Sequence, residues 1–142
     1  MYISIGEMIA DIESASSKQE QIKQVQAYYK KYPEFKYFLK YAFFNNLEPA
    51  YRSIPNYKSN MVDLTFSYIK LENALKSLKF FFNGPDLIKS EVKRTDRLLS
   101  ILEEMSWKET YIYEMLVLNK FKNKILTKKL IQEALPELGI TK

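Results

Sequence analysis

From Ile5 to Leu135 the apolar residues recur three and four positions apart, alternation of apolar with polar residues is almost absent, and glycine occurs three times. That pattern makes amphipathic helices and offers little from which to build a sheet, so the expected fold class is all-α. With 142 residues, 46% of them hydrophobic, the chain is long enough to bury one core. A single helical domain over residues 1–142 is expected, a compact bundle of about six to seven helices with no internal repeat and no low-complexity tail.

Local signals divide the chain further. Ile5, Met8, Ile9 and Ile12 form one stripe of a first helix that ends before a Ser14 to Ser17 turn. Ser17 with Glu20 reads as a capping box for a second helix through Ile22, Val25, Gln26 and Tyr29. This helix stops near Lys31, because Pro33 disfavours a helical residue before it and suits the first turn of the next. The third helix carries two stripes, Phe35, Phe38, Leu39 and Ala42 on one and Tyr37, Tyr41 and Phe44 on the other, as expected of a central element. Periodicity then fails from Asn45 to Asn60, where Pro49, Pro55 and several asparagines mark a long loop with exposed Tyr51 and Tyr57.

A fourth helix is expected from about Val62 to Phe82, ended by Asn83-Gly84-Pro85. A fifth should span Asp86 to Glu104 with Leu87, Ile88, Val92, Leu98, Leu99 and Leu102 inward. Ser106 with Glu109 reads as a capping box for a sixth, with Trp107, Ile112, Leu116 and Met115 facing the core. Thr127 caps a last helix through Leu130, Ile131, Ala134 and Leu135, closed by Pro136 and Gly139.

The absence of cysteine and histidine removes disulfides, thiol nucleophiles, the usual zinc sites and the commonest general base. No metal and no cofactor are expected. No stretch approaches the roughly 18 consecutive apolar residues of a membrane span, and Met1 to Ala10 lacks both a basic leader and an apolar core, so a cytoplasmic protein is expected.

Charge is the most uneven feature. Between Glu114 and Glu133 lie Lys120, Lys122, Lys124, Lys128 and Lys129 with no acidic residue, and these five equal the whole net charge of +5. A cationic cluster beside a neutral remainder is the electrostatic footprint of contact with phosphates. Lys128 and Lys129 fall in a first helical turn, where they oppose the helix dipole unless an anion binds there. The alternative is a solvated turn. Lys89, Lys93, Arg94 and Arg97 form a second basic set on helix five, with Glu91 and Asp96 available for intrahelical ion pairs.

Other patterns carry less. Nine aromatics fall between Tyr28 and Phe44 and could stack on bases, but their helical spacing suits a core better. Pro85-Asp86 and Glu91-Val92-Lys93 match the letters of a PD-(D/E)xK nuclease, yet that chemistry needs two strands presenting acids and lysine to a metal. Glu103 and Glu104 are adjacent and diverge, and no glycine loop could cradle a phosphate. No enzyme is expected.

Three strings carry a resemblance. They are Met8-Ile9-Ala10-Asp11-Ile12-Glu13-Ser14-Ala15-Ser16-Ser17-Lys18-Gln19-Glu20-Gln21-Ile22, then Tyr41-Ala42-Phe43-Phe44-Asn45, then Leu126-Thr127-Lys128-Lys129-Leu130-Ile131-Gln132-Glu133-Ala134-Leu135-Pro136-Glu137-Leu138. In this order they resemble the N-terminal helical DNA-binding domain of the ATP-dependent DNA ligases of T-even phages, and small tailed-phage proteins that look like free-standing copies of it. In those ligases the domain grips duplex DNA through backbone and minor-groove contacts while a separate domain does the chemistry. No Asp-Gly dipeptide occurs here, so the Lys-x-Asp-Gly adenylation motif is missing and ligation is not implied.

The resemblance implies a non-catalytic bacteriophage accessory protein of the bacterial host cytoplasm that binds double-stranded DNA with little sequence preference. The alternative is a module that engages a phage or host replication or transcription protein through the loop of Asn45 to Asn60.

Overall fold

The computed structural model describes residues 4–58 and 71–136. The fold is all-α. Its helices are α1 (Ile5–Glu13), α2 (Lys18–Lys31), α3 (Pro33–Phe43), α4 (Leu71–Ala74), α5 (Glu91–Glu104), α6 (Trp107–Val117) and α7 (Lys128–Ala134), with a 3₁₀ segment, Leu75–Phe81, continuing from α4. An antiparallel bridge pairs Pro49 with Phe82.

The first three helices begin and end where local chemistry requires. Ser17 accepts a hydrogen bond from the Glu20 amide at the start of α2, and Pro33 opens α3. A capping box unread in the sequence starts α1: Ser4 accepts from the Glu7 amide while the Glu7 carboxylate accepts from the Ser4 amide. Tyr28 then ties α2 back to α1 by donating to Asp11 at 2.8 Å.

Several sequence expectations are corrected. The long fourth helix is, over its described part, one α turn followed by 3₁₀ geometry, and its expected start from Val62 to Ile69 lies outside the described residues. Helix α5 begins at Glu91, after the Ser90 cap, and not at Asp86. Residues 86–89 are withheld from the helix by tertiary bonds: the Ile88 amide donates to the Phe80 carbonyl, and the Ile88 carbonyl accepts from Arg94. Val92, expected inside, is 71% exposed, and Trp107 is 45% exposed. Tyr37 is likewise exposed. The expected closure of the last helix at Gly139 lies outside the described residues.

Helix α6 packs on α1, α4 and the 3₁₀ segment. It buries Ile112, Tyr113, Leu116 and Val117 together with Glu109 and Thr110. Glu109 is 2% exposed and its two carboxylate oxygens accept from the amides of Gly6 and Leu71, so one side chain joins the starts of α1 and α4. A buried carboxylate persists where backbone donors surround it.

Candidate nucleic-acid interface

The basic loop is built from the end of α6. Asn119 has φ 56°, its amide donates to Leu116 and the Lys120 amide donates to Met115 at 2.8 Å. This is a Schellman stop with asparagine, one of the few residues tolerant of the left-handed region, in place of the more common glycine. Exposure then alternates residue by residue. Lys120, Lys122 and Lys124 are exposed, while Phe121, Asn123 and Ile125 between them are partly buried.

Each inward residue has a partner. The Phe121 ring meets Phe38 and Phe43 of α3 edge to face, with centroids 5.1 and 5.7 Å apart. The Asn123 side chain accepts from the amides of Ile125 and Leu126 and donates to Glu13 at the end of α1. Thr127 accepts from the Leu130 amide and starts α7, which buries Leu130, Ile131 and Ala134 against α2. Gln26 of α2 donates to the Ala134 carbonyl at 2.9 Å. The aromatic run of α3 is therefore the anchor of the lysine loop, consistent with a core role for most of its rings.

The structure brings part of the predicted set together. Lys122 and Lys124 line a hollow with Glu13 and Asn123, and Lys124 and Lys129 line an adjoining one with Lys18, Gln21, Thr127 and Glu133. Lys18, which the sequence reading missed, forms an ion pair with Glu133 at 2.7 Å. Among the described residues none of Lys120, Lys122, Lys124, Lys128 or Lys129 has an ion-pair partner. Lys128 lies over the Phe44 ring, 5.4 Å from its centroid, apart from the two hollows. The dipole argument for Lys128 and Lys129 weakens, because α7 is seven residues long and Thr127 already occupies its Leu130 amide.

The α5 set is divided. Arg94 donates to the Ile88 carbonyl at 2.9 Å and stacks over Tyr51, whose hydroxyl pairs with Thr95. Its guanidinium fastens the loop of residues 45–58 to α5. Arg97 lies over Phe80 and lines a different hollow with Asn73, Ala74, Ser77, Ser100 and Ile101. Lys93 is exposed, and the expected pairs with Glu91 and Asp96 do not form among the described residues.

Tyr51 and Tyr57, expected to be exposed, are packed. Tyr57 donates to Glu114, and burial together with that carboxylate pushes its pKa up to about 12. Among the described residues no three acidic side chains converge as a metal site. Asp86 precedes α5 in a turn, so the nuclease-like letters have no matching geometry. No described helix is long and apolar enough to cross a membrane.

No protein-family model matches the chain, and neither a curated protein nor a solved structure similar to it was found.

Proposed function

We propose that this chain is a non-catalytic accessory protein that binds double-stranded DNA through its backbone phosphates, with little sequence preference. The observation that carries this reading is the grouping of Lys122, Lys124 and Lys129 around two adjoining hollows with no ion-pair partner among the described residues. Lysines make point-charge contacts that position a duplex without reading it, so affinity falls as salt rises. Lys120 adds exposed charge outside the two hollows, and Lys128 joins if it leaves Phe44.

The resemblance to the ligase DNA-binding domain points the same way and rests on the residues quoted above. It also supplies the setting: a phage protein working in the host cytoplasm. The interaction reading, through the loop of Asn45 to Asn60, keeps neither of its tyrosines open, since Tyr51 and Tyr57 both have internal partners.

An electrophoretic shift with a blunt duplex at low salt tests the proposal. The intact chain should retard the duplex, K122Q/K124Q/K129Q should not, and K93Q should behave as the parent does. Equal retention by the triple variant would remove this site.

A further inference from the structure

Between α5 and the 3₁₀ segment that packs on it lies a hollow of about 360 Å³, which shares no lining residue with the two lysine hollows. Arg97 and Ser100, three residues apart on one face of α5, line it together with Asn73 of α4 and Ser77 of the 3₁₀ segment. Ala74 and Ile101, both buried, form its apolar floor. Every polar side chain in this lining can donate a hydrogen bond: one guanidinium, two hydroxyls and one amide. The lysine hollows differ, since Glu13 borders one and Glu133 the other. Here none of the α5 carboxylates, Glu91, Asp96, Glu103 and Glu104, belongs to the lining.

Among the described residues none of these four polar side chains is spent on a hydrogen bond within the fold. Arg97 is steadied instead by the face of Phe80, with its guanidinium 5.3 Å from the ring centroid, and its N–H fork stays unfilled. Its charge is also felt inside the core: burial pushes the Tyr113 hydroxyl pKa well up, and Arg97 acts against that rise. A cation and neutral donors thus converge over an apolar floor, where an anion is held more strongly than in open water.

We infer that this hollow binds a small phosphate monoester, its phosphate taken by Arg97 with the hydroxyls of Ser77 and Ser100. A carboxylate or a backbone phosphodiester offers two charged oxygens, whereas a monoester brings three and nearly twice the charge to a site rich in donors. Asn73 also lines an adjoining hollow with Pro33, Glu34, Tyr37 and Lys76. Glu34 repels phosphate from that side, so the organic part of the ester extends there and the phosphate stays with Arg97. The inference is independent of the DNA reading above.

The chain has three arginines, Arg52, Arg94 and Arg97, so three side-chain Nε–H signals report on them in its heteronuclear NMR spectrum. The full chain is titrated at pH 7, where a monoester is largely dianionic, with phenyl phosphate, methyl phenyl phosphate and benzoate. The expected result is a saturable shift of the Arg97 signal with phenyl phosphate while Arg52 and Arg94 stay in place. Binding of the diester and of benzoate should be weaker by about tenfold. Followed through the backbone amides of Ser77 and Ser100, Arg97→Gln should weaken phenyl phosphate binding by about tenfold and Ser100→Ala by about threefold. K122Q/K124Q/K129Q should bind it as the parent does.

A shift that never saturates, or is equal with all three compounds, would overturn the site. Saturable binding that survives Arg97→Gln and Ser100→Ala but is lost in the lysine variant would put the monoester at the lysine loop, and would overturn it too. Duplex retardation without any Arg97 shift would overturn the hollow and leave the DNA reading in place. Loss of duplex retardation in Arg97→Gln, with no monoester response in the parent, would make Arg97 part of the duplex surface and likewise overturn the inference.

Discussion

Two regions of the molecule place cations against aromatic rings and use them in opposite ways. Beside α5, the Arg94 guanidinium is consumed inside the fold, stacked on Tyr51 and bonded to the Ile88 carbonyl. Between α6 and α7, Phe121, Asn123 and Ile125 take the inward positions, so the lysines alternating with them are left to solvent. Where a loop supplies its own apolar anchor, its charges remain available. Where the anchor is the charged residue itself, the charge becomes structure.

The largest effect should come from separating the lysine loop from its anchor. Phe121→Ala deletes a half-buried ring held between Phe38 and Phe43 and should cost about 2–3 kcal/mol in chemical denaturation. It should also weaken DNA binding although no charge changes. Retained affinity in that variant would show that the loop keeps its shape without α3.

Arg94→Ala should cost about 1–2 kcal/mol, since it leaves the Ile88 carbonyl without its partner and loosens Tyr51. Duplex affinity should be unchanged. A loss of affinity with little loss of stability would move Arg94 from the structural region to the binding one.

Asn119→Ala forces a β-carbon without a helpful side chain into the left-handed region and should cost about 1 kcal/mol, while Asn119→Gly should be neutral or slightly stabilising. Thermal melts of the two variants separate a strained stop from a tolerant one.

A smaller and pH-dependent effect is expected at Tyr28 and Tyr57, both with pKa pushed up to about 12, first by burial and then by Asp11 and Glu114 respectively. The folded state holds these protons above the ordinary value of 10, so their contribution is complete below about pH 10 and is lost as pH rises towards 12. Melting temperature should fall across that window, and the fall should be shallower in Y28F/Y57F. An identical fall in the double variant would place the titration elsewhere.

Much of the fold was legible because its signals are local. Ser17, Pro33, Ser90 and Thr127 act on the residues beside them, and the caps at Ser17 and Thr127 and the Pro33 start stand where the sequence placed them. The apolar stripe of Ile5, Met8, Ile9 and Ile12 is buried as read. What was not legible depends on contacts across the chain. Leu87 and Ile88 continue the α5 spacing on paper, but Phe80 and Arg94 claim the Ile88 backbone. Glu109 reads locally as part of a cap, and its further bond to the Gly6 amide, 103 positions away, has no local signal.

The candidate site divides the same way. Lysine density was visible in the composition, whereas the alternating exposure at 120–125 depends on Phe121 docking against α3. That Lys18 joins the face, that Lys128 rests on Phe44 and that Arg94 is spent internally follow from tertiary packing. That Trp107 and Tyr111 are partly exposed was hidden by helical periodicity, which gives a stripe but not which of its side chains the neighbouring elements cover.

The central claim is that Lys122, Lys124 and Lys129 contact phosphates as a group, and the salt dependence of duplex binding measures it most directly. Each phosphate contact contributes about 0.9 to the slope of log K against log salt, so K122Q/K124Q/K129Q should reduce its magnitude by about 2.7 relative to the parent. An unchanged slope would contradict the account.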